Sequence, residues 1–406
     1  MSFVRSSKAR NKLVVPILLA GLLATGIVFI EASPANAAAC STTGATTAYA
    51  GGAGTSGDPF LIATAEQLAL LSATAADWSK HFKLDSNISL AAGCEWTPIA
   101  PDYADSFSGV FDGGGHTITG LSVNRPSGMA GMFGRVFGSS ALIKNLGLEN
   151  VAIRGGGYVG SIAGWLPNGR VENSYATGSV TGTENTGGLV GSSAGVLGNS
   201  YSKSVVTIVD WPARPDIAKR NIGGLAGTVS AGNLSNSYSI GLITDSATAT
   251  SATVGGVSGA RVGIVTNAFW DKESSGLATS ASGTGKSSSE MKTLATFVDT
   301  ATTGLTSAWA IVEGWEAFNF STPTNFWGIC SGVNDGYPFL LWEYSTNPCV
   351  APTVPAAPAS VAPAATVLAT TGTGTTNHLA LVPLFLAVGG LLVWLGRGRR
   401  SKGEVQ

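Results

Sequence analysis

Charge is scarce in this chain: Asp, Glu, Lys and Arg supply 12% of 406 residues. Histidine is rarer still, at three, and there are four cysteines. Each shortage removes a class of function. The histidines (His81, His116 and His378) are scattered, and none begins a His-Glu-x-x-His run, so a helix-borne zinc protease site is excluded. The cysteines form no Cys-x-x-Cys pair, so no metal site is expected, and no cofactor is called for. The terminal segments hold eight of the 23 basic residues and two of the 24 acidic ones, which leaves 15 against 22 in the body. No basic stripe remains to hold a phosphate backbone, so a nucleic-acid partner is excluded.

Glycine is abundant, at 55 residues, and it is ordered. Apolar tetrads close on Gly134, Gly164, Gly191, Gly227 and Gly259 and read GMFG, SIAG, GLVG, GLAG and GVSG. After each comes a second element: Asn145-Leu146-Gly147, Asn173-Ser174-Tyr175, Asn199-Ser200-Tyr201, Asn236-Ser237-Tyr238 and Asn267-Ala268-Phe269. The glycine-to-Asn offsets are 11, 9, 8, 9 and 8, while the closing glycines lie 30, 27, 36 and 32 apart. A steady inner offset with elastic outer spacing marks a stack of supersecondary units. The intervening runs, such as Val205 to Val209, are short and β-branched, too short for helices. Gly and Asn suit coil corners that need positive φ, and stacked Asn side chains could bond along the axis. The expected fold is all-β: a β-solenoid over 106–270 between an N-terminal cap at 38–105 and an aromatic-rich C-terminal cap at 271–347.

These residues resemble the repeats of bacterial GLUG-type surface proteins, with Gly188-Leu189-Val190-Gly191 and Gly224-Leu225-Ala226-Gly227 the best fits. The likeness runs over about residues 56 to 345 and includes Phe111-Asp112-Gly113-Gly114-Gly115-His116 and Phe269-Trp270-Asp271. It implies a right-handed parallel β-helix on an exported, adhesin-like protein, a type sometimes attached to proteases.

The ends carry addresses. Residues 1–37 read as a signal peptide, with a basic start, an apolar run from Leu13 to Ile30, and Ala35-Asn36-Ala37 for cleavage; an uncleaved anchor is the alternative. In the N-terminal cap, Thr64-Ala65-Glu66-Gln67 is a capping box that predicts a short helix, and 82–85 and 88–90 alternate like strands. Four cysteines in an exported chain read as disulfides with three possible connectivities. Cys40–Cys94 and Cys330–Cys349 are favoured, one staple per end piece. Residues 348–367 form a Pro/Ala linker. The segment 368–406 opens with Leu368-Ala369-Thr370-Thr371-Gly372, continues through an apolar span from Leu379 to Leu395, and ends in Arg397, Arg399, Arg400 and Lys402. This order is similar to Gram-positive sortase signals, with Ala369 in place of Pro as in the actinobacterial Leu-Ala-x-Thr-Gly class. By that resemblance a sortase cysteine attacks the Thr371 carbonyl and peptidoglycan receives the protein at the cell wall. A plain membrane anchor is the alternative.

Ten aromatic residues between Trp309 and Tyr344 serve either as a sugar-stacking surface or as the core of the C-terminal cap. The longest repeat spacing holds an insertion with Trp211, Arg214 and Arg220, a candidate partner loop; alternatively Trp211 folds back as a cover. Asp112 and His116 are the best candidates for carboxylate chemistry, though Asp-Gly-Gly-Gly-His reads more simply as a turn. The expected function is wall-anchored display or adhesion toward a glycan or protein ligand, without catalysis. The rival is a carbohydrate-active β-helix, a polysaccharide lyase or hydrolase.

Overall fold

Each repeat winds one coil of a parallel β-solenoid of about six turns in this computed structural model. The structure describes residue 40 and residues 48–210, 220–246, 252–314 and 326–349, all within the first of the chain's two units, Met1–Pro352. A coil enters through a short strand: Met129–Ala130, Tyr158–Val159, Asn185–Gly187, Arg220–Gly223 and Ala252–Gly255 stack in parallel as one sheet. It then turns through the tetrad into a second sheet of Phe133–Arg135, Ala163–Leu166, Val190–Ser193, Ala226–Val229 and Ser258–Arg261. It closes through a long third sheet that includes Val110–Thr119, Leu142–Gly155, Tyr175–Gly182, Asn233–Ser239 and Ile264–Asp271.

The tetrad supplies the core. Met132, Ile162, Leu189, Leu225 and Val257 are fully buried one above another. Leu189 N–H donates to the Leu225 carbonyl at 2.9 Å, and Leu225 N–H to the Val257 carbonyl at 3.0 Å. Burial of each such side chain contributes roughly 1.5–3 kcal/mol.

The tetrad glycines have a different job from the one expected of them. None of the five closing glycines has positive φ. Four of them let the first two sheets touch backbone to backbone, while Gly134 admits the Ala100 carbonyl of the N-terminal piece: a Cβ on Gly191 would lie 2.4 Å from the Val159 nitrogen, and one on Gly227 would lie 2.5 Å from the Thr186 nitrogen. The positive φ falls instead on the asparagines, at 53°, 48°, 46°, 46° and 51° for Asn145, Asn173, Asn199, Asn236 and Asn267. Their short polar side chains tolerate the left-handed region and bond locally or along the axis. Asn267 Nδ2 donates to Asn236 Oδ1 at 3.1 Å, and Asn145 Nδ2 to Asp112 Oδ1 at 3.0 Å.

The residue after Asn is buried, and where it is serine it links coils. Ser174 N–H donates to Ser200 Oγ at 3.2 Å, and Ser200 N–H to Ser237 Oγ at 3.1 Å. Each of these hydroxyls in turn donates to a carbonyl two residues back, Ser200 to Gly198 and Ser237 to Ser235, both at 2.7 Å. The third residue builds a ring stack. Tyr175 and Tyr201 have centroids 4.9 Å apart, and Tyr201 and Tyr238 5.1 Å, with planes within 5°. That spacing is the inter-strand distance of a sheet, so the register of the strands sets the stacking.

The N-terminal piece holds the expected helix, Ala65–Ala73, with Thr64 and Gln67 in a reciprocal capping box. Strands His81–Leu84 and Ile88–Ser89 join it to the first coil. Both favoured disulfides, Cys40–Cys94 and Cys330–Cys349, are present.

The C-terminal piece does more than cover the last coil. Thr284–Lys286 pairs with the final solenoid strand, and buried Asp271 anchors the turn by accepting from Tyr337 Oη at 2.5 Å and Ser288 Oγ at 2.6 Å. The chain then returns along the flank, over the tyrosine stack. Tyr238 Oη donates to the Pro338 carbonyl at 2.5 Å, Tyr201 Oη to Glu343 at 3.0 Å, and Trp342 Nε1 to the Asn173 carbonyl at 2.9 Å. Trp309, Trp327, Tyr337 and Leu340 bury themselves with the tyrosines in one apolar cluster. A row of large rings on an outer face would otherwise meet water, and this segment removes it.

Candidate functional site

A cleft of about 750 Å³ lies where the returning segment meets the opening coils. The segment contributes Phe326, Trp342, Glu343 and Tyr344. The N-terminal piece contributes Lys83 and Asn87, and the solenoid Asp112, His116, Asn145 and Asn173. Tyrosine and tryptophan rings supply apolar area, and three carboxamides supply paired donors and acceptors. The Asn173 Oδ1 atom is buried and has no protein partner among the described residues.

The stretch Asp112-Gly-Gly-Gly-His116, expected as a turn before a strand, is a bulged turn inside the strand Val110–Thr119, and it borders this cleft. The side chains of both candidates are engaged in shape. Asp112 Oδ1 accepts from Gly114 N–H at 2.9 Å and from Asn145 Nδ2 at 3.0 Å, and Oδ2 pairs with Lys144 at 3.1 Å. Gly114 and Gly115 have φ of 62° and 81°, which the turn requires. His116 Nδ1 lies 3.2 Å from Asn87 Oδ1, which also accepts from Thr117 N–H at 3.0 Å.

Glu343 was not singled out in the sequence, yet it is the most perturbed carboxyl of the cleft. Burial among rings pushes it up to about 8, and the nearby Glu149 carboxylate pushes the same way. Leu340 N–H, donating at 2.6 Å, and the Tyr201 hydroxyl oppose the rise without cancelling it. Glu149 accepts from Tyr175 Oη at 2.7 Å. Burial, followed by the adjacent carboxylates, raises the Tyr175 and Tyr201 hydroxyls well above the ordinary phenol range. The available signal was local: a lone acidic residue inside Phe339-Leu340-Leu341-Trp342-Glu343-Tyr344.

Other predicted residues lie elsewhere. Cys40 and Cys94 staple the N-terminal piece, and Cys330 and Cys349 the returning segment. Arg220 opens the strand Arg220–Gly223. Trp211 and Arg214, the signal site at Ala35 and Ala37, and the sorting stretch Leu368 to Gly372 with its apolar span lie outside the described residues. Among the described residues no helix is long and apolar enough to cross a membrane, and no group of three His, Cys, Asp or Glu could hold a metal.

The chain is similar to two much longer proteins. One is halomucin of Haloquadratum walsbyi, 36% identical over 150 residues, which is 35% of this chain and 2% of that one. The other is a "Putative Gly-rich membrane protein" of Evansella cellulosilytica, 32% identical over 185 residues, which is 36% of this chain and 21% of that one. The matches thus span under a quarter of either relative's length. No family model matches the chain. Among solved structures it resembles "a putative immunoglobulin A1 protease from Bacteroides ovatus", with a TM-score of 0.50 and 20% identity over 73% of this chain and 96% of that one. That likeness is one of fold. The solenoid and its two disulfides fit a surface or extracellular protein.

Proposed function

We propose that this is a cell-surface display protein of the adhesin type, which presents the cleft to a glycan and does not cut it. The observation that carries the reading is the commitment of the carboxylates around the cleft. Asp112 closes its own turn and ties down Lys144 and Asn145, Glu149 holds Tyr175, and Glu343 holds Leu340 and Tyr201. What remains toward the ligand is a set of rings, the Asn173 carboxamide and Lys83, groups that suit sugar recognition. In this reading the GLUG-type solenoid is exported by residues 1–37 and joined by a sortase to peptidoglycan at Thr371. The matched relatives, named as a halomucin and as a membrane protein, support a surface setting.

One observation favours a second reading, the carbohydrate-active β-helix: Glu343, held up to about 8 at the cleft, has the protonation range of a general acid, and a second carboxyl, Glu149, lies near it. A glycan array scored for both retention and product release separates the two. Retention of intact glycan is expected; release of shortened or unsaturated product would replace adhesion with catalysis.

A further inference from the structure

We infer that the solenoid carries a second glycan-binding surface, a ring platform at Tyr103, Phe137, Tyr158 and Trp165 that seats the apolar faces of neutral pyranose rings. None of these residues borders the cleft. The inference extends the glycan reading but stands on different side chains.

Tyr158 and Trp165 flank one tetrad turn, with centroids 5.6 Å apart and planes 15° apart. Tyr103 stands edge-on to both, 5.9 Å from Trp165 and 6.4 Å from Tyr158. Tyr103 is 56% exposed and Phe137 41%, so two ring surfaces face water within one patch. The Arg135 guanidinium lies over Phe137 at 4.6 Å and Trp165 at 5.0 Å, and its Nη1 donates to the Tyr103 and Asp105 carbonyls. The Nη1 of the cation beside the rings is therefore occupied in fixing them, and its Nε, which has no partner among the described residues, is buried away from the surface.

The strand register decides what borders the rings. One coil on, Tyr158 is followed by Asn185 and Trp165 by Ser192; a further coil brings Asn221 and Thr228. Asn185 Oδ1 gathers Asn221 Nδ2 at 2.8 Å and Thr228 Oγ1 at 2.7 Å, so these groups form one ordered polar strip. Rings give way to carboxamides and hydroxyls at the coil rise of about 4.8 Å. A neutral sugar chain has matching parts: C–H faces for the rings and hydroxyls for the strip. A protein partner fits worse. A stable protein interface buries roughly 800 Å² on each side around an apolar centre, whereas four rings bounded by amides are small and polar-edged.

The test uses the intact protein and calorimetric titration with cello-, xylo-, manno- and chitohexaose. Tyr103→Ala/Phe137→Ala removes the two exposed rings, Tyr103→Phe/Phe137→Tyr keeps them, and Phe326→Ala alters the cleft alone. The alanine pair is expected to weaken one binding event roughly tenfold at unchanged Tm, with the ring-retaining pair near wild type. Phe326→Ala should leave that event intact. Undiminished binding in the alanine pair, no hexaose bound by the wild type, loss of all binding in Phe326→Ala, or a dimer that the alanine pair dissolves would each overturn the platform. Loss in the alanine pair with no effect of Phe326→Ala would keep the platform and remove the cleft reading.

Discussion

Glu343 makes the stability of this protein fall as pH rises through neutrality. In the unfolded chain its carboxyl titrates near 4.5, and in the folded protein near 8. Below the first value it is protonated in both states and contributes no pH dependence. Between the two, the unfolded chain has released the proton while the folded protein keeps it, so stability drops with pH; above about 8 the curve flattens. The interval corresponds to a ceiling of about 5 kcal/mol at 1.36 kcal/mol per unit, and the half-buried position of Glu343 lowers the expected loss to about 2–3 kcal/mol. Tyr201 on one side, Leu340 N–H on the other, and the Glu149 and Lys203 charges set the balance. Glu343→Gln removes the charge and keeps an oxygen for Leu340 N–H. Urea unfolding at intervals from pH 5 to 9, with disulfides intact, should show the wild type losing stability and the glutamine variant nearly flat. An equal slope in both proteins would refute the reasoning, because the penalty would then arise elsewhere.

Asn199→Ala should cost about 1–2 kcal/mol and Asn199→Gly far less, because the position has a φ of 46°; the pair of denaturation midpoints checks this. Gly191→Ala should cost more than 3 kcal/mol or prevent folding, since its Cβ would sit 2.4 Å from the Val159 nitrogen, and soluble yield with circular dichroism reads the outcome. Cys330→Ser/Cys349→Ser should lower stability by about 3 kcal/mol through a closed loop of separation 19, measured as a drop in Tm. Muralytic digestion should release protein ending at Thr371 on a wall fragment; recovery of the span Leu379 to Leu395 in the mature protein would point to a membrane anchor.

The sequence by itself determined the coil. The recurrence of tetrad and Asn-Ser-Tyr was visible because each coil must repeat the same contacts with its neighbours, so periodicity in space becomes periodicity in the chain. The helix at Ala65–Ala73 was legible because its cap is a contact of residues three apart, and the disulfide pairs because each lies within one end piece. The reason for the glycines was not legible: Gly191 meets Val159 across two sheets, a contact 32 residues away, while the positive φ that glycine seemed to serve belongs to Asn199. The cleft was only half legible. Asp112 and His116 stood out as a turn, but Glu343 reaches Tyr201 from 142 residues away. Only the tertiary structure could bring that carboxyl onto the tyrosine stack, because the returning segment is placed by the burial of Trp309, Trp327 and Leu340, a force without direction or sequence period.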